Sequence, residues 1–288
     1  MFERLLLATD FSLHAKPALD QAIAWSEKLG ARLELLHVVD PIVYALPGDL
    51  AGVNIDFYED VVRSREEEMR ALIHVVQERL PRVVGTVARG IAAASICDHA
   101  LKTRADLVIV GTDGHGAVAR AMLGSVTDRV LRSSTIPILL VPCEGRPVAS
   151  PPLRILAPTD FSMSAHRAVA SASAFAKQLE ASLVLAHAYD VPALVERDVA
   201  MKTSLREAMA RRVEEAHPGV VAAANVASIA REGRAPAVIV ALAEETKSDL
   251  IMMASTGRGF LSSLLLGGVT DRVARTAHVP VLVVRPPD

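Results

Sequence analysis

The residue types best suited to chemistry lie between Gly111 and Thr127, GTDGHGAVARAMLGSVT. They follow an apolar run, Leu107-Val108-Ile109-Val110, with the pattern of a buried strand. They give way to a helical pattern at Val126, Val130 and Leu131. Strand, glycine-rich loop and helix start, in that order, suit the binding of an anion, phosphate above all. Glycines let the backbone turn tightly and approach a ligand closely. The unbonded N–H groups of a helix's first turn and the helix dipole favour negative charge there. Ser125 and Thr127 add hydroxyl donors. The same order also describes an ordinary turn from strand to helix, so the glycines alone do not decide between the two.

The elements that must hold this loop occur twice. Leu5-Leu6-Leu7-Ala8-Thr9-Asp10-Phe11-Ser12 returns as Ile155-Leu156-Ala157-Pro158-Thr159-Asp160-Phe161-Ser162. Asp106-Leu107, Gly114, Gly116, Gly124 and Val126-Thr127-Asp128-Arg129-Val130 return as Asp249-Leu250, Gly257, Gly259, Gly267 and Val269-Thr270-Asp271-Arg272-Val273. A period of this length is a duplicated domain rather than a solenoid unit. The expected domains are residues 1–143 and 152–288. Residues 144–151 form a linker within the proline-rich PCEGRPVASPP.

Within the first copy, strand and helix patterns alternate. Strands are expected over Arg4–Thr9, Leu33–Val39, Arg82–Ala88, Asp106–Val110 and Ile136–Val141. Helices are expected from Ser12 to Leu29, from Phe57 to Leu80, from Ala92 to Thr103 and from Val126 to Ser133. Ser12 suits an N-cap and Gly30 a C-terminal cap. Asp40 to Asp56, with its prolines and glycines, reads as a loop. Strands alternating with helices give an α/β fold, a parallel sheet with helices on both faces.

Composition narrows the function. The chain has 288 residues, half of them apolar, and a formal net charge of −2. Nothing in that charge suits a nucleic-acid binder. The two cysteines, Cys97 and Cys143, are far apart, which fits a reducing compartment rather than a disulfide scaffold. Cys97 reads as a small buried residue. No run reaches membrane-spanning length and the amino terminus does not read as a signal peptide, so a soluble cytoplasmic protein is expected. The histidines show neither an HExxH motif nor paired ligand spacing, and no structural metal is expected.

With these residues in place, the chain resembles the universal stress protein family, and its duplication resembles the family's tandem members. The nucleotide-binding subgroup carries G-x2-G-x9-G-(S/T), which Gly111, Gly114, Gly124 and Ser125 match in full. The LLATDFS opening, HVVD at the end of the second strand and the IPILLV last strand extend the resemblance over nearly the whole chain, twice. It implies a Rossmann-like five-stranded sheet of order 3-2-1-4-5 in each domain. That order has a topological switch between strands one and four, where open α/β sheets bind ligands.

The resemblance also implies an adenine nucleotide, ATP or else ADP or AMP, with or without Mg2+. Gly111, Gly114, Gly124, Ser125, Val126 and Thr127 would hold phosphates, and His115 and Gly116 lie in the same loop. Ala8, Thr9 and Asp10 end the first strand, with Asp10 near the ribose and any nucleotide-bound magnesium. Val38 would meet the adenine edge through its backbone. By their residue types alone, Asp10 equally suits a carboxylate near a helix start, Val38 a core strand, and His115 a solvated loop.

The second copy departs from the motif. Ala254 replaces the first glycine and Gly268 the serine, while Asp160, Gly257, Gly267 and Thr270 remain. A weak or vacant second site follows. The chain lacks the G-x4-G-K-(S/T) lysine, so at most slow hydrolysis is expected and no catalytic residue is assigned. The nucleotide would bias the loop and signal to an unidentified protein partner; the alternative is a structural or adaptor module that binds no nucleotide. The last strands, at Ile136–Val141 and Val279–Val284, are expected to pair as an intramolecular pseudo-dimer, with further homodimerisation open.

Overall fold

The chain divides into two units, Met1–Cys143 and Glu144–Asp288. The computed structural model describes residues 2–41, 55–112, 123–144, 154–191, 198–223, 225–257 and 266–285. Residues 145–151 of the expected linker and most of the loop after Asp40 fall outside these residues.

The first unit runs β1 (Arg4–Ala8), a 3-10 turn (Leu13–Ala15), α1 (Lys16–Leu29), β2 (Arg32–Val39), α2 (Ile55–Gln77), β3 (Val84–Arg89), α3 (Ala92–Lys102), β4 (Leu107–Gly111), α4 (Ser125–Ser133) and β5 (Ile138–Val141). Its strands lie in the order β3-β2-β1-β4-β5, all parallel. The second unit repeats the plan with β6 (Arg154–Pro158), α5 (Met163–Leu179), β7 (Ser182–Tyr189), α6 (Val199–Ala216), the short α7 (Pro218–Val221), β8 (Val226–Glu232), α8 (Ala235–Glu245), β9 (Leu250–Ala254), α9 (Gly268–Thr276) and β10 (Val281–Val284). Its order is β8-β7-β6-β9-β10, again parallel. This is the doubly wound α/β fold expected from the alternation of patterns.

The central strands read as unbroken apolar runs because helices cover both faces of a parallel sheet. Leu5, Leu6, Leu7, Leu35, Leu36, Leu107, Ile109 and Ile138–Leu140 are almost wholly buried. The repeated Asp-Leu that opens β4 and β9 has a structural reason. Asp106 Oδ2 accepts from the backbone N–H of Glu3 at 2.8 Å and of Arg4 at 2.9 Å. Asp249 Oδ2 accepts from Arg154 N–H at 3.0 Å. Each carboxylate ties the start of its strand to the start of the neighbour and so fixes the register at the end opposite the site.

Two sequence expectations change. The single helix expected from Ser12 is a 3-10 turn followed by α1, because Pro17 has no N–H to donate to Leu13 four residues back. In the second unit Arg167 stands at that position and α5 starts at Met163 without the break. Cys97 is half-exposed rather than buried. The buried stripe of α3 is Ala93, Ile96 and Ala100, and Cys97 lies one step off it. Among the described residues no helix is long and apolar enough to cross a membrane.

Candidate functional site

At the carboxyl end of β1 the chain makes a compact turn. Thr9 N–H still pairs with Leu36 O at 2.9 Å, after which the strand leaves the sheet. Thr9 Oγ1 accepts from Phe11 N–H at 3.1 Å, Asp10 Oδ1 from Ser12 N–H at 3.0 Å, and Ser12 Oγ from Ala15 N–H at 3.3 Å. Phe11 sits at φ 61°. From β2, His37 Nδ1 donates to Thr9 O at 2.8 Å, and its ring lies 4.6 Å from that of Phe11. Burial pushes the His37 imidazole below its ordinary pKa, which keeps the ring neutral with its proton on Nδ1.

The departure of β1 frees the edge of β2. Leu36 turns its N–H and C=O toward β1, and alternation turns those of Val38 to the same side, beyond the last β1 pair. The backbone of Val38 therefore faces the crevice between β1 and β4.

On the other side of the switch, β4 ends at Gly111. Gly124 N–H donates to Thr112 O at 2.8 Å, closing the base of the loop, and α4 starts at Ser125. The first intrahelical bond runs from Asp128 N–H to Gly124 O at 2.8 Å. Helix geometry thus leaves the N–H groups of Ser125, Val126 and Thr127 without an intrahelical acceptor. Ser125 and Val126 are exposed and Thr127 is buried. The Thr127 hydroxyl is spent inside the fold, donating to Gly111 O at 2.7 Å. Of the two hydroxyls read from the sequence, only that of Ser125 is open to a ligand. Gly114, His115 and Gly116 lie outside the described residues.

The second unit brings the corresponding residues round one cavity of about 180 Å³, which includes Thr159, Asp160, Ala254, Gly257, Gly267, Gly268 and Thr270. Its walls are small: Ala186 and Ala188 occupy the β7 positions that are Leu36 and Val38 in β2. Thr270 Oγ1 donates to Ala254 O at 2.9 Å, as Thr127 does to Gly111. A β-carbon on Gly267 would fall 3.3 Å from Ser255 O, a tight fit against backbone. One on Gly268 would meet nothing within 4 Å.

Three residues that the sequence reading passed over join this site. His37 and His187 are two of them; their recurrence at the same place in HVVD and HAYD is the signal the sequence carries. The third is His217. Its Nε2 shares a hydrogen bond with Thr159 Oγ1 at 3.1 Å, and the same hydroxyl oxygen accepts from Phe161 N–H at 3.2 Å. His217 is 5% exposed and its ring lies 4.5 Å from that of His166. Burial, reinforced by His166, pushes its pKa down to about 4. No sequence signal marked it.

Fold and site together define a duplicated, doubly wound α/β protein with a strand-end turn and a helix start facing the topological switch of each unit. The chain belongs to the universal stress protein family: the family model matches residues 1–142 and again 153–285. A universal stress protein of Mycolicibacterium smegmatis is 27% identical over 296 residues, which cover 98% of this chain and 97% of that one. One from Thermus aquaticus is 35% identical over 144 residues, 49% of this chain and 99% of its own length. The crystal structure of a universal stress protein from Archaeoglobus fulgidus superposes with a TM-score of 0.73 over 99% of this chain and 97% of its own, at 23% identity. That likeness bears on the fold.

Proposed function

We propose that this chain is an adenine-nucleotide-binding regulatory protein whose main site lies in the first unit. The observation that carries the reading is the open first turn of α4. Three N–H groups and the Ser125 hydroxyl gather there, at the end of a complete G-x2-G-x9-G-S motif, across the β1–β4 switch from the Asp10 turn. Oriented N–H donors and a helix dipole suit a polyphosphate. The bare backbone of Val38 suits the edge of a base. Asp10, at the end of β1 beside the crevice, suits the ribose or a magnesium ion carried by the phosphates.

The second unit is the weaker site. Gly268 removes the open hydroxyl, and Ala254 puts a methyl where the first unit has Gly111. Loss of one donor to a charged group costs about 1.5–3 kcal/mol, or roughly ten- to a hundred-fold in affinity. With no P-loop lysine and no base assigned beside a terminal phosphate, the nucleotide acts as a regulator of the loop rather than a substrate turned over rapidly.

Isothermal titration of the whole chain with ATP and magnesium tests the assignment. One tight site per chain is expected, lost in Gly124→Val. Two equally tight sites would contradict the division of labour between the units, and no binding at all would favour an adaptor module.

A further inference from the structure

The Thr-Asp-Phe-Ser turn is built the same way in both units although the clefts around it have diverged. Leu36, Val38, Gly111 and Ser125 are answered by Ala186, Ala188, Ala254 and Gly268, whereas Thr9 to Ser12 and His37 return unchanged as Thr159 to Ser162 and His187. In each turn a phenylalanine adopts the left-handed region, at φ 61° and 63°. That conformation is strained for a bulky residue and comfortable for glycine or asparagine.

What makes an aromatic useful there is the histidine of the neighbouring strand. The rings lie 4.6 Å apart in the first unit and 4.4 Å in the second. In both units the imidazole Nδ1–H also donates, at 2.8 Å, to the threonine carbonyl. The clamp therefore holds the carbonyl just before the aspartate and the side chain just after it. Between these points the carboxylate has one oxygen fixed on the serine N–H, at 3.0 Å in each unit. In the second unit the other oxygen lies against the glycine loop, 2.5 Å from where a β-carbon on Gly257 would stand.

Resting on the nucleotide reading above, the geometry assigns His37 as a positioning residue for Asp10. It does not reach the ligand. It holds the strained turn that keeps the Asp10 carboxylate at the mouth of the crevice, and His187 does the same for Asp160.

The test compares the full-length wild type with His37→Leu, His37→Asn, Asp10→Asn and the His37→Leu, Asp10→Asn pair. Asparagine can place an amide N–H near the Nδ1 position and donate to Thr9 O; leucine cannot. The first readout needs no ligand: amide hydrogen exchange at Phe11 and Ser12, whose N–H groups bond Thr9 Oγ1 and Asp10 Oδ1. We expect exchange roughly ten-fold faster in His37→Leu, largely restored in His37→Asn, with β1 and β4 amides protected as in the wild type. If the leucine variant does not fold, His37→Gln takes its place, since its amide sits nearer Nε2.

The second readout is the affinity for ATP with magnesium. His37→Leu and Asp10→Asn should each weaken it by roughly ten-fold, and the pair should be no weaker than Asp10→Asn alone. Unchanged exchange in the leucine variant, or losses that multiply in the pair, would overturn the assignment. A wild type that binds no nucleotide while the exchange pattern appears as expected overturns the nucleotide reading and upholds the clamp.

Discussion

Gly257 and Asp160 meet so closely that any side chain at 257 would collide with the carboxylate: its β-carbon would lie 2.5 Å from Asp160 Oδ2. The glycine of the loop is thus required by a neighbour distant in sequence rather than by its own backbone angles. Gly257→Ala should cost about 1–3 kcal/mol, the range of an overpacked site. Adding Asp160→Ala should recover most of that loss. Denaturant unfolding of the single and double variants measures both.

Gly268 is the opposite case, with open space where its β-carbon would be. Gly268→Ser should fold as well as the wild type or better, because a helix loses the entropic cost of a glycine. Combined with Ala254→Gly it rebuilds the first-unit motif in the second unit. Titration with ATP should then move from one tight site toward two, and a chain that keeps its original stoichiometry would show that the motif alone does not make the site.

Thr127 and Thr270 tie the first turns of α4 and α9 to the ends of β4 and β9, each donating to a strand-end carbonyl, Gly111 O at 2.7 Å and Ala254 O at 2.9 Å. Valine keeps the shape and removes the bond. Each Thr→Val change should cost about 1–3 kcal/mol by leaving a carbonyl without its donor. Chemical denaturation detects the loss without any ligand.

His217 gives the second unit an acid-sensitive point. Its pKa falls from 6.5 unfolded to about 4 folded, through burial and then His166. The folded state therefore holds this ring neutral where the unfolded chain takes up a proton. The resulting stability is complete above pH 6.5 and is lost as the pH falls toward about 4; at full effect it is on the order of 3 kcal/mol. Thermal unfolding between neutral pH and the lower limit should slope less in His217→Gln than in the wild type. Equal slopes would place the acid sensitivity elsewhere.

Much of this architecture was legible in the residues. The apolar runs of Leu5–Leu7 and Leu107–Val110 marked the central strands because burial on both faces leaves no polar alternation. The duplicated TDFS and the spaced glycines carried the family resemblance, and the strand order with its switch came from that resemblance. Details that depend on distant partners were not legible. Thr127 looked like a phosphate donor until Gly111 O was seen to take its hydroxyl. His217 bonds Thr159 across 58 residues of sequence, a separation at which spacing carries no information. Pro17 was visible throughout, but its effect on the helix entry depended on which carbonyl it left without a donor.

The most direct test of the central claim is a thermal shift with ATP and magnesium on nucleotide-free protein, comparing the wild type with the Gly124→Val, Ser125→Ala pair. A ligand at a hundred times its dissociation constant stabilises by about 2.7 kcal/mol, which for domains of this size raises Tm by about 5–10 °C. The account expects a rise of that order in the wild type and its loss in the pair, with both proteins equally folded beforehand. No rise in the wild type, or an equal rise in both, would contradict a nucleotide site at the start of α4.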